Sequence, residues 1–133
     1  TGEVKIQKYY ALQDCGTPIN PELAIGQIYG GVLKSIGHSL YEEMIYDKTG
    51  KCINTNLLDY KVPMINDLPE DFKVELVDTD DPFGPYGAKS VSEISVNGAA
   101  PVIAIAIHDA IGVWLRKWPF TPEAILRALG KIK

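Results

Sequence analysis

The run from Ala99 to Ile107, AAPVIAIAI, is apolar throughout and must be shielded from water in the folded chain. Nine residues are far too few to span a bilayer, which takes about 20 apolar residues in a helix. We therefore predict a helix from about Gly98 to Trp114 that is buried on most of its faces. Pro101 is expected in its first turn, where a missing N–H costs little.

A second long helix is predicted over Pro21–Glu43, with Asn20 as its N-cap and Pro21 at the first position. Its apolar residues recur at helical spacing: Leu23, Ile25, Ile28, Val32, Leu33, Ile36 and Leu40. Four glycines interrupt it, namely Gly26, Gly30, Gly31 and Gly37. Each interior glycine costs about 0.5–1 kcal/mol relative to alanine. Either tight packing against another element or the close approach of a bulky ligand would explain them.

The remaining patterns are shorter. Strands are predicted over Val4–Leu12 and over residues 72–80, because apolar and polar residues alternate there. Residues 44–56 suggest a hairpin with its turn at 48–50, and Thr121 is expected to cap a short final helix. Together these elements predict an α+β domain: a small mixed sheet packed against two long helices, with a short C-terminal helix.

Charge and cysteine content exclude several classes of function. The chain has 13 Lys and Arg against 17 Asp and Glu, a net charge of −4. The basic residues form no stripe, so nucleic-acid binding is not predicted. Cys15 and Cys52 form no CxxC or His/Cys cluster, so no side chain is predicted to ligate a metal. Two lone thiols without a secretory signal favour the cytoplasm, and no membrane association is expected. The chain opens at Thr1 in strand-like residues, so we expect a piece of a longer protein.

Three stretches together resemble one enzyme family. They are DCGTPINPELAIGQIYGGVLKSIGHSLYEE, LDYKVPMINDLPEDFKVEL and GAKSVSEISVNGAAPVIAIAIHDAIG. In this order and spacing they resemble segments of the molybdenum hydroxylases of the xanthine dehydrogenase, aldehyde oxidase and nicotinate dehydrogenase type. The resemblance implies that residues 1–133 form the C-terminal portion of a molybdopterin-binding domain, inactive alone, within a larger enzyme.

The resemblance also implies cofactors and partners. A molybdenum–molybdopterin cofactor is expected, with its cytosine dinucleotide form as one option, and iron–sulfur clusters and FAD are expected elsewhere in the complex. The partners would be the rest of the molybdopterin subunit and the iron–sulfur and flavin subunits or domains. The substrate would be a purine, another N-heterocycle or an aldehyde. The isolated chain is expected to self-associate, because severing it from a larger body exposes apolar surface.

Glu93 matches the family glutamate that takes a proton from the hydroxide ligand of molybdenum, so that the oxygen can attack an electron-poor carbon. The resemblance therefore implies that Glu93 is the catalytic general base. Because Glu93 stands just ahead of a buried helix, we expect it to be partly buried. The alternative is an exposed acid at the start of a helix, where the helix dipole favours negative charge.

The same resemblance implies that Gln27, Gly30, Gly31, Lys89, Ser90, Val91 and Ser92 bind the cofactor. The Gln27 amide can both donate and accept hydrogen bonds, although it could equally be a polar residue on the solvent side of its helix. Lys89 could lie near the cofactor or substrate, or form only a local ion pair. Ser92 replaces a family glycine that permits positive φ. This departure is the best support for an alternative, a non-catalytic binding or assembly module.

Overall fold

The computed structural model describes residues 1–133 and contains five regular elements. They are β1 (Lys8–Asp14), α1 (Pro21–Leu40), β2 (Asp71–Val77), α2 (Ile94–Ile111) and α3 (Pro122–Ala128). Single 3₁₀ turns stand at Ile65–Asp67 and Pro85–Gly87. The predicted α+β class, with two long helices and a short third one, is confirmed.

The sheet consists of β1 and β2 paired in parallel, from Lys8 opposite Asp71 to Asp14 opposite Val77. The crossover between parallel strands contains α1, as such connections usually do. Antiparallel pairing is confined to isolated bridges, one at Gly16 and Ala88 and one in the 46–52 turn. β1 begins four residues later than predicted, because its partner strand extends no further than the residue opposite Lys8.

The core lies where α1 packs against α2. Its eight buried residues are Ile28, Val32, Ile36, Leu40, Ala99, Ile103, Ile107 and Phe120. The members from each helix recur four residues apart, which places them on one face. The inner face of the sheet packs on this cluster, and Phe72 makes an edge-to-face contact with Tyr29 of α1 at 4.6 Å between ring centroids. The sheet, α1 and α2 therefore form one packed unit.

α1 begins as predicted and ends earlier. The Asn20 side chain accepts a hydrogen bond from the Leu23 N–H at 3.1 Å, which confirms the N-cap. The helix stops at Leu40 rather than Glu43, because Tyr41 leaves the helical conformation and the N–H groups of Tyr41 and Glu42 both donate to the Gly37 carbonyl.

α2 differs from the prediction at both ends. It spans Ile94–Ile111 instead of Gly98–Trp114, and Gly112 ends it in the left-handed conformation. Pro101 consequently lies in the helix interior and not in the first turn. Next to it, the Ala100 N–H donates to the hydroxyl of Ser35 in α1 at 3.1 Å, so α1 supports the backbone at the proline.

The prediction that α2 is buried on most faces is wrong. Ala99, Ile103 and Ile107 are buried, but Val102 is 52% exposed and Ile105 is 50% exposed. Only one face of α2 meets α1, and this chain supplies nothing to cover the other. By length and composition alone the helix, with a mean hydropathy of 1.5, could also cross a membrane, but its face with Ala99, Ile103 and Ile107 packs in the core of this chain.

The shorter elements follow the prediction in part. The turn at residues 48–50 is confirmed and is held by the Asp47 carboxylate, which accepts from the Thr49 N–H at 2.7 Å. The flanking residues form a single bridge instead of a strand ladder. β2 is shorter than predicted and ends at Val77. α3 starts as expected, with the Thr121 hydroxyl accepting from the Ala124 N–H at 3.2 Å.

Candidate functional site

The loops that follow β1 and β2 are locked to the residues that lead into α2. We call Gly87–Glu93 the lead segment. Gly16 pairs with Ala88, the Thr17 N–H donates to the Gly87 carbonyl at 2.7 Å, and the Lys89 N–H donates to the Cys15 carbonyl at 2.8 Å. A Cβ on Gly16, where φ is +62°, would stand 2.1 Å from the Gly87 carbonyl oxygen. The close backbone contact therefore requires glycine.

Asp14, the last residue of β1, ties three segments together. One carboxylate oxygen accepts from Lys89 Nζ at 2.6 Å, and the other accepts from the Gly16 N–H at 2.9 Å and the Thr79 hydroxyl at 2.7 Å. These bonds, with Lys89 foremost, lower the pKa of Asp14 to about 2. Sequence reasoning assigned Asp14 no role, although an Asp-x-Gly directly after a strand is a recognisable turn signal.

Lys89 forms the ion pair that was one of its two predicted states, but its partner is 75 residues away in the chain rather than in its own segment. Its side chain is 33% exposed, and the Asp14 side chain is 41% exposed. The structure therefore places the ammonium group of Lys89 at the junction of β1 and the lead segment.

Glu93 is the N-cap residue of α2, and its side chain caps none of the helix N–H groups. The carboxylate makes no hydrogen bond or ion pair within the chain. Glu93 is exposed, so the expected partial burial is wrong for this chain and the alternative of an exposed acid at the helix start holds, because no element of the chain covers its side chain. Its carboxylate is thus available to groups that approach from outside the chain.

A groove between α1 and the start of α2 joins most of the predicted residues. Its volume is about 280 Å³, and it is lined by Gly26, Gln27, Gly30, Gly31, Lys34, Ser92, Glu93 and Val96. An adjoining cleft of about 230 Å³ also has Gln27 in its wall, together with Lys89 and Val91. Gln27 is exposed and stands between the two spaces. Ser90 is exposed and lines neither of them.

The glycines of α1 divide into two kinds. A Cβ on Gly31 would lie 1.9 Å from Ser95 Oγ, so this glycine lets the start of α2 approach α1. A Cβ on Gly26 or Gly30 would meet no atom within 4 Å. These two residues form a bare backbone floor in the groove that Gln27 and Glu93 also line. Packing within the chain explains Gly31 and leaves Gly26 and Gly30 unexplained.

Ser92 has an ordinary backbone conformation. Positive φ among residues other than glycine occurs only at Asp80 and Tyr86. The Ser92 carbonyl accepts a hydrogen bond from the Ser95 hydroxyl at 2.7 Å, and the residue itself is exposed. The backbone path therefore does not require glycine at this position.

The groove offers one carboxylate, one amide and one ammonium group, from Glu93, Gln27 and Lys34. No group of three or more His, Cys, Asp or Glu side chains is placed to hold a metal ion. A metal bound here would take its ligands from a carrier molecule, while the groove would supply a hydrogen-bonding amide, a base and a flat floor.

Comparisons with known proteins show which family the chain resembles. Residues 1–69 match the model of the family described as Molybdopterin cofactor-binding domain. The chain is 62% identical over 132 residues to the probable hypoxanthine oxidase XdhD of Escherichia coli K12. The match covers 99% of this chain and 14% of that protein. It is 37% identical over 131 residues to the nicotine 6-hydroxylase large subunit of Paenarthrobacter nicotinovorans, covering 96% and 16%.

Among solved structures, quinoline 2-oxidoreductase from Pseudomonas putida 86 has the same fold over this region. The TM-score is 0.88 at 34% sequence identity, and the match covers 97% of this chain and 17% of that one. The chain thus spans about a sixth of the length of these relatives.

Proposed function

The chain belongs to the molybdopterin cofactor-binding domain family, and from this premise we propose that it is one portion of the molybdenum-cofactor subunit of a hydroxylase. Its part is to supply the carboxylate of Glu93 as general base and one wall of the cofactor site. Alone, the 133 residues are inactive, because they form only one side of an open groove. The observation that carries the proposal is that Glu93 and Gln27 line the same glycine-floored groove.

The residues present fit a pterin-carried metal. A planar heterocycle can lie against Gly26 and Gly30, because no side chain of this chain occupies the space above them. The Gln27 amide can donate to and accept from the edge of such a ring. Gly31 and Ser92 line the same groove, Lys89 and Val91 line the adjoining cleft, and the carrier supplies the metal ligands that the side chains lack. We assign the molybdenum–molybdopterin cofactor to these residues, with its cytosine dinucleotide form as one option.

When bound, the cofactor supplies the two-electron redox chemistry and the oxygen transfer. The protein's task is to accept a proton at a Glu93 Oε atom and to release it again. No internal hydrogen bond fixes the Glu93 carboxylate, so the side chain is free to reach into the groove. Glu93 stands at the N-terminus of α2, where the positive end of the helix dipole faces its carboxylate.

We propose a nitrogen heterocycle, with a purine foremost, as the substrate. Supporting this choice, the relative with 62% identity is named for hypoxanthine, and the two other relatives described above are named for nicotine and quinoline. The electrons would leave through iron–sulfur clusters and FAD outside this chain. The two free thiols, Cys15 and Cys52, agree with a cytoplasmic enzyme.

The alternative of a non-catalytic binding or assembly module loses its main support. It rested on Ser92 in place of a glycine, and Ser92 has a backbone conformation open to any residue. No other observation favours a module that lacks chemistry.

The test uses the full-length protein with its cofactor. Glu93→Gln keeps the shape of the side chain and removes the base, so hydroxylation of hypoxanthine should fall by about 10²–10⁴-fold in kcat. Molybdenum and pterin content should stay at the native level. Glu123→Gln, which changes an acid in the first turn of α3 away from the groove, is the matched control and should keep full turnover. Turnover retained by Glu93→Gln, or a native protein without molybdenum, would refute the proposal.

A further inference from the structure

The lead segment has few supports other than its contacts with the loops after the strands. Ser90, Ser92 and Glu93 are exposed, and only Gly87 of the segment is buried. Val91 is half-buried against the core, and it is one of the few side chains that anchor the segment inward. The position of Glu93 therefore depends on how firmly the first half of the segment is held.

Asp14 is the side chain that links the lead segment to the loops after both strands. Its two oxygens take three hydrogen bonds, and only the one from Lys89 reaches the lead segment through a side chain. The other two fix Asp14 itself, through the Gly16 N–H and the Thr79 hydroxyl. The carboxylate is thus oriented before it meets Lys89, and a charge-assisted bond between an oriented pair is stronger than a neutral one.

Lys89 is the positive charge that balances a group of acidic side chains in these loops. The loop after β2 carries Asp78, Asp80 and Asp81 in addition to Asp14 at the end of β1. Lys89 is the one cation that forms an ion pair with any of these four acids. Losing the Lys89 charge would leave the lead segment beside an uncompensated acidic cluster, and losing Asp14 would leave Lys89 without its ion-pair partner.

We propose that Asp14 is a positioning residue for the reaction: through Lys89 it holds the lead segment so that Glu93 stays at the groove beside Gln27. This inference rests on the proposed function of Glu93 and deepens it. Asp14 itself touches neither the groove nor the adjoining cleft. It acts at a distance by fixing the backbone that precedes the base.

The test compares Asp14→Asn with Asp78→Asn in the full-length holoenzyme. Asp78 is the matched control, because it bonds the Thr17 hydroxyl at 3.2 Å and does not contact Lys89. Amide hydrogen exchange of the lead segment should become about tenfold faster in Asp14→Asn, since a charge-assisted bond has been lost, and should be unchanged in Asp78→Asn. The kcat for hypoxanthine should fall about tenfold, with KM changed less than about threefold, because the base is misplaced while the groove remains.

A second variant tests the same bond from its other partner, in case Asp14→Asn fails to fold. Lys89→Met removes the same bond and leaves the bonds of Asp14 to Gly16 and Thr79 in place, so it should reproduce the faster exchange. Unchanged exchange in both variants would overturn the inference, even if Glu93→Gln is inactive. Faster exchange with full turnover would also overturn it. If instead Glu93→Gln remains active, the proposed function fails, and the exchange data still report whether Asp14 holds the lead segment.

Discussion

Gly31 of α1 lies so close to Ser95 of α2 that a methyl group on Gly31 would stand 1.9 Å from the Ser95 oxygen. Gly31→Ala must therefore push the two helices apart at the start of α2. We expect it to lower the free energy of unfolding by about 1–3 kcal/mol, the usual cost of overpacking. Thermal denaturation of the purified variant measures this, and a midpoint equal to that of the native protein would contradict the close contact.

Gly30→Ala is the matched substitution on the open face. Its Cβ would meet nothing within 4 Å, so in this chain the helix should gain about 0.5–1 kcal/mol of stability from the lower backbone entropy. The same methyl group stands in the floor of the groove. We expect the full-length variant to be as stable as the native protein and to bind less molybdopterin, measured by metal and pterin analysis. Native cofactor content would show that Gly30 does not face the cofactor.

The bond from the Ala100 N–H to the Ser35 hydroxyl gives a third prediction. Ser35 is 1% exposed, so its removal leaves an N–H beside Pro101 without its side-chain acceptor in a dry place. Ser35→Ala should cost about 1–3 kcal/mol in unfolding free energy. Ser90→Ala, at an exposed position of the lead segment, should change the stability by no more than about 0.5 kcal/mol. Equal midpoints for the two variants would remove the support that we assign to Ser35.

The Asp14–Lys89 pair should lose its stabilising effect only when the pH falls below about 4. The pKa of Asp14 is lowered to about 2 by Lys89, the Gly16 N–H and the Thr79 hydroxyl. A lowered folded-state pKa stabilises the fold above the unfolded value and loses that effect as pH falls from about 4 to about 2. The difference in thermal midpoint between native protein and Asp14→Asn should therefore be constant from pH 5 to pH 8 and shrink below pH 4. A difference that changes near pH 6 would implicate another group.

The isolated chain should self-associate. Val102 and Ile105 of α2 and Leu12 of β1, which is 70% exposed, leave apolar surface without a cover. Both outer edges of the two-stranded sheet are also free to pair. Light scattering of the 133-residue chain at increasing concentration should show dimers or larger species. A strictly monomeric chain would mean that these surfaces need no partner.

The sequence predicted the elements better than their boundaries. Capping residues such as Asn20 and Thr121 located two helix starts correctly, because a cap is a local hydrogen bond that the sequence states directly. The predicted start of α2 lies four residues too late, because the prediction places Pro101 in the first turn. Its real start is set by contacts with α1 at Gly31, which no local pattern reveals.

The site was predicted as a set of residues but not as a geometry. The resemblance brought Gln27 and Glu93 forward, and the groove joins them. It could not show that Glu93 is exposed in this chain, because exposure depends on how α1 and α2 pack, which no local pattern states. Nor could it show that Lys89 reaches Asp14, since a pairing across 75 residues comes from the packing of the loop after β1 on the lead segment, which no local pattern states.

The parallel register of β1 and β2 limits how this part of the molecule can vary. Each residue added to β1 would shift Asp14 by about 3.3 Å along the sheet and turn its side chain to the opposite face. Insertions in the turn near residues 47–50 would not shift Asp14, since that turn is not part of the sheet. Related enzymes should therefore differ freely in length at the turn, whereas the count of residues from Lys8 to Asp14 should be invariant wherever the acid and the lysine are both kept.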